Sequence, residues 1–200
     1  YYHPCNSYIY LYGDMDVAEK LAWMDEAYLG KYEAIGLDSE IKLQKPFEKP
    51  IEVTHKYSIS STESEENNTY LSYNMVVGNA ADSQMAMAFE VLDYALLSAP
   101  GAPLKQALLD VKAGKDVYGS YDDGILQPYF TVIAKGSNPD RKEEFVSVIR
   151  QVLGDIVKNG IDKKAVEAGI NYFEFRYREA DFSSYPKGLM YGPVSYTHLT

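Results

Sequence analysis

The chain has 200 residues, 46% hydrophobic and 24% charged, a composition that belongs to a folded globular protein and excludes a disordered or fibrous one. Its 19 basic and 29 acidic side chains leave a net charge of −10, without the basic footprint of a nucleic-acid binder. The single cysteine, Cys5, excludes an internal disulfide and points to a reducing cytoplasmic or organelle-matrix setting, and no run approaches the ~18 apolar residues of a membrane span.

Residues 7–12 (Ser-Tyr-Ile-Tyr-Leu-Tyr) read as a strand with large side chains on both faces, followed by a turn at Gly13-Asp14. A helix is expected over about 16–32, with Val17, Leu21, Met24, Tyr28 and Tyr32 on one stripe. This orphan strand–helix unit, 1–32, reads as the end of a preceding domain. Residues 33–50 carry Gly36, Pro46 and Pro50 among charges and read as a linker. From residue 51 the chain alternates, with Ile51, Val53, His55, Tyr57 and Ile59 on one side. Leu71, Tyr73, Met75 and Val77 alternate again, so an antiparallel pair is expected.

A largely apolar helix is expected over 82–97, broken by Pro100-Gly101-Ala102-Pro103, with a short helix from Pro103 to about 113. Strands over 115–121 and 126–135 flank the hairpin signal Asp122-Asp123-Gly124. The helix 140–159 has an unbroken stripe of Phe145, Val148, Ile149, Val152, Leu153, Ile156 and Val157, a cap at Asn138 and a stop at Gly160. A last helix over 162–178 is expected to turn Val166, Ile170, Phe173 and Tyr177 inward. The order β-β-α-α-β-β-α-α predicts an α+β domain over 51–190, an antiparallel sheet with helices on one face. Residues 191–200 show no periodicity; 194–200 resemble translated adapter sequence, and this tail is expected to be foreign to the protein.

Little in the chain suggests chemistry of its own. His3 and Cys5 lie two apart, but no second pair stands at zinc spacing, and no His-Glu-x-x-His or inverted His-x-x-Glu-His occurs. His55 reads as a histidine on the apolar face of a strand, and His198 belongs to the tail. Cys5 reads as a small buried hydrophobe without an activating neighbour. Asp122-Asp123 reads as a solvated turn. No catalytic residue and no metal ligand is expected. Tyr118, Tyr121 and Tyr129 either line a peptide-binding wall or are half-buried sheet aromatics.

The stretch Tyr2-His3-Pro4-Cys5-Asn6-Ser7 through Gly13-Asp14 resembles the presequence-protease branch of the insulinase-type (pitrilysin) zinc metalloproteases. The resemblance continues through Pro46–Pro50, Ser98-Ala99-Pro100-Gly101-Ala102-Pro103-Leu104 and Tyr129-Phe130-Thr131-Val132, and spans about residues 1–190. It implies a metalloprotease-like α/β roll and a parent endopeptidase of four related domains that closes around a chamber and degrades unstructured peptides. The parent's zinc would be held by an inverted His-x-x-Glu-His helix upstream of Tyr1, and none of those residues carries over. By the same resemblance His3, Pro4, Asn6, Gly13, Pro100 and Pro103 are structural. The fragment is expected to bind no cofactor, to lack activity alone, and to partner the missing N- and C-terminal domains of its own chain, buttressing the catalytic domain and walling the chamber. Peptide substrates belong to the parent, and neither nucleic acid nor membrane is expected as a partner. The alternatives are a catalytically dead member of the same superfamily and an unrelated α+β peptide-binding module.

Overall fold

The computed structural model describes residues 2–179 and 184–198, with 193–198 described by backbone alone. Two compact units divide the chain, one comprising Tyr1–Lys42 with Ala180–Thr200 and the other Leu43–Glu179. The boundary falls inside the stretch read as linker.

The second unit is an α+β fold. Its strands are β1 (Thr69–Val76), β2 (Asp116–Asp122) and β3 (Tyr129–Ser137), antiparallel in the order β1-β3-β2. Leu71, Val117, Phe130, Val132 and Ala134 project to one face and are buried. Against them pack α2 (Ser83–Asp93), α3 (Pro103–Asp110) and α4 (Lys142–Asn159), contributing Leu104, Leu108, Phe145 and Ile149 to one core. Helices on one face of an antiparallel sheet leave the opposite face open. α5 (Lys163–Glu179) packs on α2, with its buried Gly169 facing Val91 and Tyr94.

Between α2 and α3 the chain widens into a single π-turn, Tyr94–Ser98, closed by the Ala99 N–H donating to the Tyr94 carbonyl at 2.7 Å. Three consecutive residues of that turn, Ala95, Leu96 and Leu97, are buried. Leu97 reaches the sheet at Gly119 of β2, where an added Cβ would overlap Leu97 and lie 2.6 Å from the Thr131 carbonyl oxygen.

The first unit contains α1 (Val17–Ala27), capped by the Asp16 carboxylate accepting from the Glu19 N–H at 3.0 Å, and α6 (Lys187–His198). Val17, Leu21 and Tyr28 of the expected stripe remain 52, 53 and 46% exposed.

Several expected elements take other forms. Residues 7–12 have no strand partner among the described residues. Instead Tyr10 donates its hydroxyl to the Gly188 carbonyl at 3.0 Å, and the Tyr12 ring lies against Gly188. Residues 51–59 form no strand: β1 pairs with β3, the strand that can bury both of its faces. A strand added at the β1 edge would place one of its sides on a face that no helix covers. The tail read as aperiodic is helical through residue 198.

Asn138 does not cap with its side chain, because it is engaged elsewhere. It accepts from the Asn67 N–H at 2.7 Å and donates to the Asn67 side chain at 2.8 Å. Val157 is 86% exposed, one residue past Ile156, the last of its stripe to pack against the core, and Ile170 and Tyr177 are half-exposed beside α2, whose Val91 and Tyr94 meet Gly169 instead.

Gly119→Ala is expected to lower the unfolding free energy by about 1–3 kcal/mol, since the methyl group meets both a core side chain and backbone. Urea unfolding followed by circular dichroism measures it, and an unchanged midpoint would contradict the packing described.

Candidate functional site

Alternate residues of a strand face opposite ways, so the sheet separates the three tyrosines. Tyr121 pairs with Phe130 on the helix side and stacks on Phe89 with ring centroids 5.4 Å apart. Burial pushes its phenol pKa up, helped by Asp123, Glu90 and Asp82. Tyr118 and Tyr129 lie on the open face, opposite Ile133 and Val76 respectively. The Tyr129 hydroxyl donates to Asp122 Oδ2 at 3.0 Å, and this bond holds its phenol above the ordinary range.

Between Tyr118 and Tyr129 the open face carries a closed polar chain. Thr131 Oγ1 donates to Asn74 Oδ1 at 2.5 Å, and Asn74 Nδ2 donates to Ser72 Oγ at 2.7 Å. Residues 44–51 run over part of this face and leave a cavity of about 760 Å³, lined among others by Phe47, Ile51, Asn74, Val76, Ile125 and Tyr129. At one end of the segment Gln127 grips Gln44, accepting from its N–H at 2.7 Å and donating to its carbonyl at 3.2 Å. At the other end Lys142 pairs with Glu52 at 2.7 Å, holding that carboxyl below its usual range. Of the three tyrosines, only Tyr129 lines the cavity.

On the helix side lies a group that the sequence reading missed. Asp93, the last residue of α2, has its Oδ1 buried without a hydrogen-bond partner among the described residues, facing the space where Gly119 has no side chain. Burial pushes the Asp93 carboxyl up, opposed by a hydrogen bond from Ser98. An acidic residue directly before the apolar run Tyr94-Ala95-Leu96-Leu97 was the available signal.

The Tyr-His-Pro segment forms a local fold. Pro4 opens a 3₁₀ turn, His3 Nδ1 accepts from the Cys5 N–H at 3.2 Å, and the His3 ring meets Tyr32 edge-on at 5.5 Å. Asn6 accepts from the Ser39 hydroxyl at 2.5 Å, and Gly13 takes φ 135°, a conformation that favours glycine. Pro103 occupies the first turn of α3, and Pro100 stands in the break before it.

Cys5 is exposed, not buried, because the 3₁₀ turn places it outward. His55 is exposed on irregular chain, since the strand expected to carry it does not form. The side chain of His198 lies outside the described residues. Asp122 is more than a solvated turn residue, since Oδ1 accepts from the Gly124 N–H at 3.0 Å while Oδ2 holds Tyr129. Among the described residues no group of three or more His, Cys, Asp or Glu side chains could hold a metal ion. No helix of the described residues is long and apolar enough to cross a membrane.

Together these features define an α+β domain built around a one-sided sheet. The family profile described as the peptidase M16 inactive domain matches residues 1–173, and the chain belongs to the peptidase M16, or insulinase-type, family. It is 46% identical over 191 residues to Protein HypA of Clostridium perfringens, covering 96% of this chain and 20% of that protein. It is 33% identical over 193 residues to presequence protease 1, chloroplastic/mitochondrial, of Arabidopsis thaliana, covering 94% and 18%. The mitochondrial presequence protease of Danio rerio is 25% identical, with 92% and 18% covered. The chain thus spans about a fifth of the length of these relatives.

Two predictions follow from the placement of these side chains. Tyr121→Ala removes a ring stacked in the core and should cost about 2 kcal/mol, whereas Tyr118→Ala on the open face should stay within about 0.5 kcal/mol. Denaturant midpoints of the two variants check this, and equal losses would refute the assignment of faces.

Asp93 has its pKa raised by folding, so the folded state favours its protonated form. The resulting penalty is absent below the ordinary carboxylate pKa of 3.8, grows as pH rises toward the folded value, and is constant above it. Asp93→Asn should therefore gain stability over the parent at pH 7, and the gap should close toward pH 3. A gap that widened on acidification would count against a buried, unpartnered carboxylate.

Proposed function

We propose that this chain is a non-catalytic part of a zinc-dependent metalloendopeptidase that degrades unstructured peptides within a closed chamber. In this reading residues 1–200 buttress the catalytic domain and form part of the chamber wall, with Tyr118 and Tyr129 on the face turned to peptide. The observation that carries the reading is the match of the M16 inactive-domain profile over residues 1–173, in line with the similarity to presequence proteases. Peptides and the other domains of the same polypeptide are then its partners, in a cytoplasmic or organelle-matrix compartment.

The zinc of such an enzyme does not fit this chain. The described residues supply no cluster of ligands, and in this reading the metal and the base that activates its water belong to other parts of the polypeptide. What this chain's own residues can do is bind and exclude. The open face offers the rings of Tyr70, Tyr118 and Tyr129 and a polar chain whose side chains already satisfy one another. Such a surface supports peptides of many sequences, because it leaves few polar groups that demand a particular partner.

The parent polypeptide is expected to hydrolyse an unstructured peptide in a chelator-sensitive way, whereas purified residues 1–200 show no turnover with or without zinc. A parent that folds and binds peptide without hydrolysing it would support a catalytically dead scaffold instead. Chelator-sensitive hydrolysis by residues 1–200 alone would overturn the non-catalytic assignment.

A further inference from the structure

A groove of about 920 Å³ runs between α2 and α5 within the second unit. Val91, Val166 and Phe173 line it half-buried, while Met87, Ile170 and Tyr177 stay 53, 50 and 51% exposed. α5 continues this character around its circumference, with Tyr172 and Phe175 49 and 67% exposed. Lys163, Glu167, Glu174 and Arg178 form a polar stripe on one side of α5, and an apolar face wider than α2 can cover is left for another element.

The charges of the groove say what would cover it. The Tyr177 hydroxyl donates to Glu90 Oε2 at 2.5 Å, and burial together with Glu90 and Asp123 pushes the Tyr177 phenol strongly up. Glu174 is neutralised by Arg178 at 2.6 Å, but Glu90 has no cationic partner among the described residues. The groove therefore joins an apolar floor to an uncompensated carboxylate, which complements a helix bearing an apolar stripe beside a Lys or Arg. A second copy of this chain fits poorly. A two-fold contact sets the same patch against itself, and here it would bring Glu90 and Asp123 toward their own counterparts.

We propose that the α2–α5 groove seats an amphipathic helix of the same polypeptide from outside residues 1–200, with a basic side chain opposite Glu90. This rests on the reading of the chain as a piece of a longer enzyme, in line with relatives of which it covers 18–20%. The test uses the whole parent polypeptide with Met87 replaced by a photo-crosslinking phenylalanine analogue, followed by peptide mapping.

The expected product is an intramolecular cross-link to a segment outside 1–200 that carries Lys or Arg at helical spacing from its apolar residues. Glu90→Lys in the same background should reduce that product about tenfold, while Tyr118→Ala leaves it unchanged. A cross-link to a second copy, a cross-link confined to residues 1–200, reaction with solvent alone, or a yield indifferent to Glu90→Lys each overturns the proposal. Hydrolysis is scored separately on the same preparation. The cross-link without hydrolysis overturns the peptidase reading alone, and hydrolysis without the cross-link overturns the seat alone.

Discussion

The absent side chain at Gly119 is the constraint on which the second unit's arrangement depends. It lets Leu97 descend onto β2 and leaves Asp93 Oδ1 facing the same space, so the end of α2 can touch the sheet. In an ordinary helix Ala95, Leu96 and Leu97 would be spread around the axis, because successive residues step about 100°. The π-turn narrows that step, and all three residues are buried, Leu96 and Leu97 in the sheet core. Its cost is a carboxylate, Asp93, carried into the interior at the point where the turn begins. The Pro100–Pro103 break then releases the chain so that Leu104 and Leu108 of α3 can close the same core from the other side.

What could be read from the sequence divides along the same physical lines. The helices 83–93, 103–110, 142–159 and 163–179 and the hairpin 116–137 lie close to where periodicity placed them; all but 163–179 bury a stripe against a single core, and that helix packs on α2 through Gly169. Strand pairing was less legible. Residues 51–59 alternate as cleanly as β1 does, but alternation does not name a partner, and β1 is satisfied by β3, where Phe130, Thr131 and Val132 are all buried. Tyr10 and Tyr12 suggested a strand by their β-preference, yet they pack on a helix from the other end of the chain, a contact no local pattern can reveal. The three tyrosines singled out for a binding wall were correctly placed on strands. Position parity then puts Tyr121 behind the sheet and Tyr118 and Tyr129 in front.

Asp93 and Asn138 show a further limit. Both look like ordinary helix-end residues, and their roles depend on what a distant segment brings to them: Gly119 for one, Asn67 for the other. The same holds for Gln127, whose amide pairs with the backbone of Gln44 83 residues away and so holds a segment over the open face. Side-chain amides recognise backbone groups without any sequence signature, because a peptide bond is present at every residue.

The two faces of the sheet therefore have different physical characters, which bears on the role proposed for the domain. The helix face is filled, and its specificity is spent on internal packing. The open face is polar but largely satisfied, with Thr131, Asn74 and Ser72 bonded to one another and Tyr129 bonded to Asp122. A surface selective for one peptide would need unpaired donors or acceptors waiting for that peptide, and such groups penalise every other sequence. Satisfied polar groups flanked by tyrosine rings do the opposite. They accept apolar and aromatic contacts while imposing little penalty on a mismatch, which is the property required of a wall around a chamber that processes many different unfolded chains.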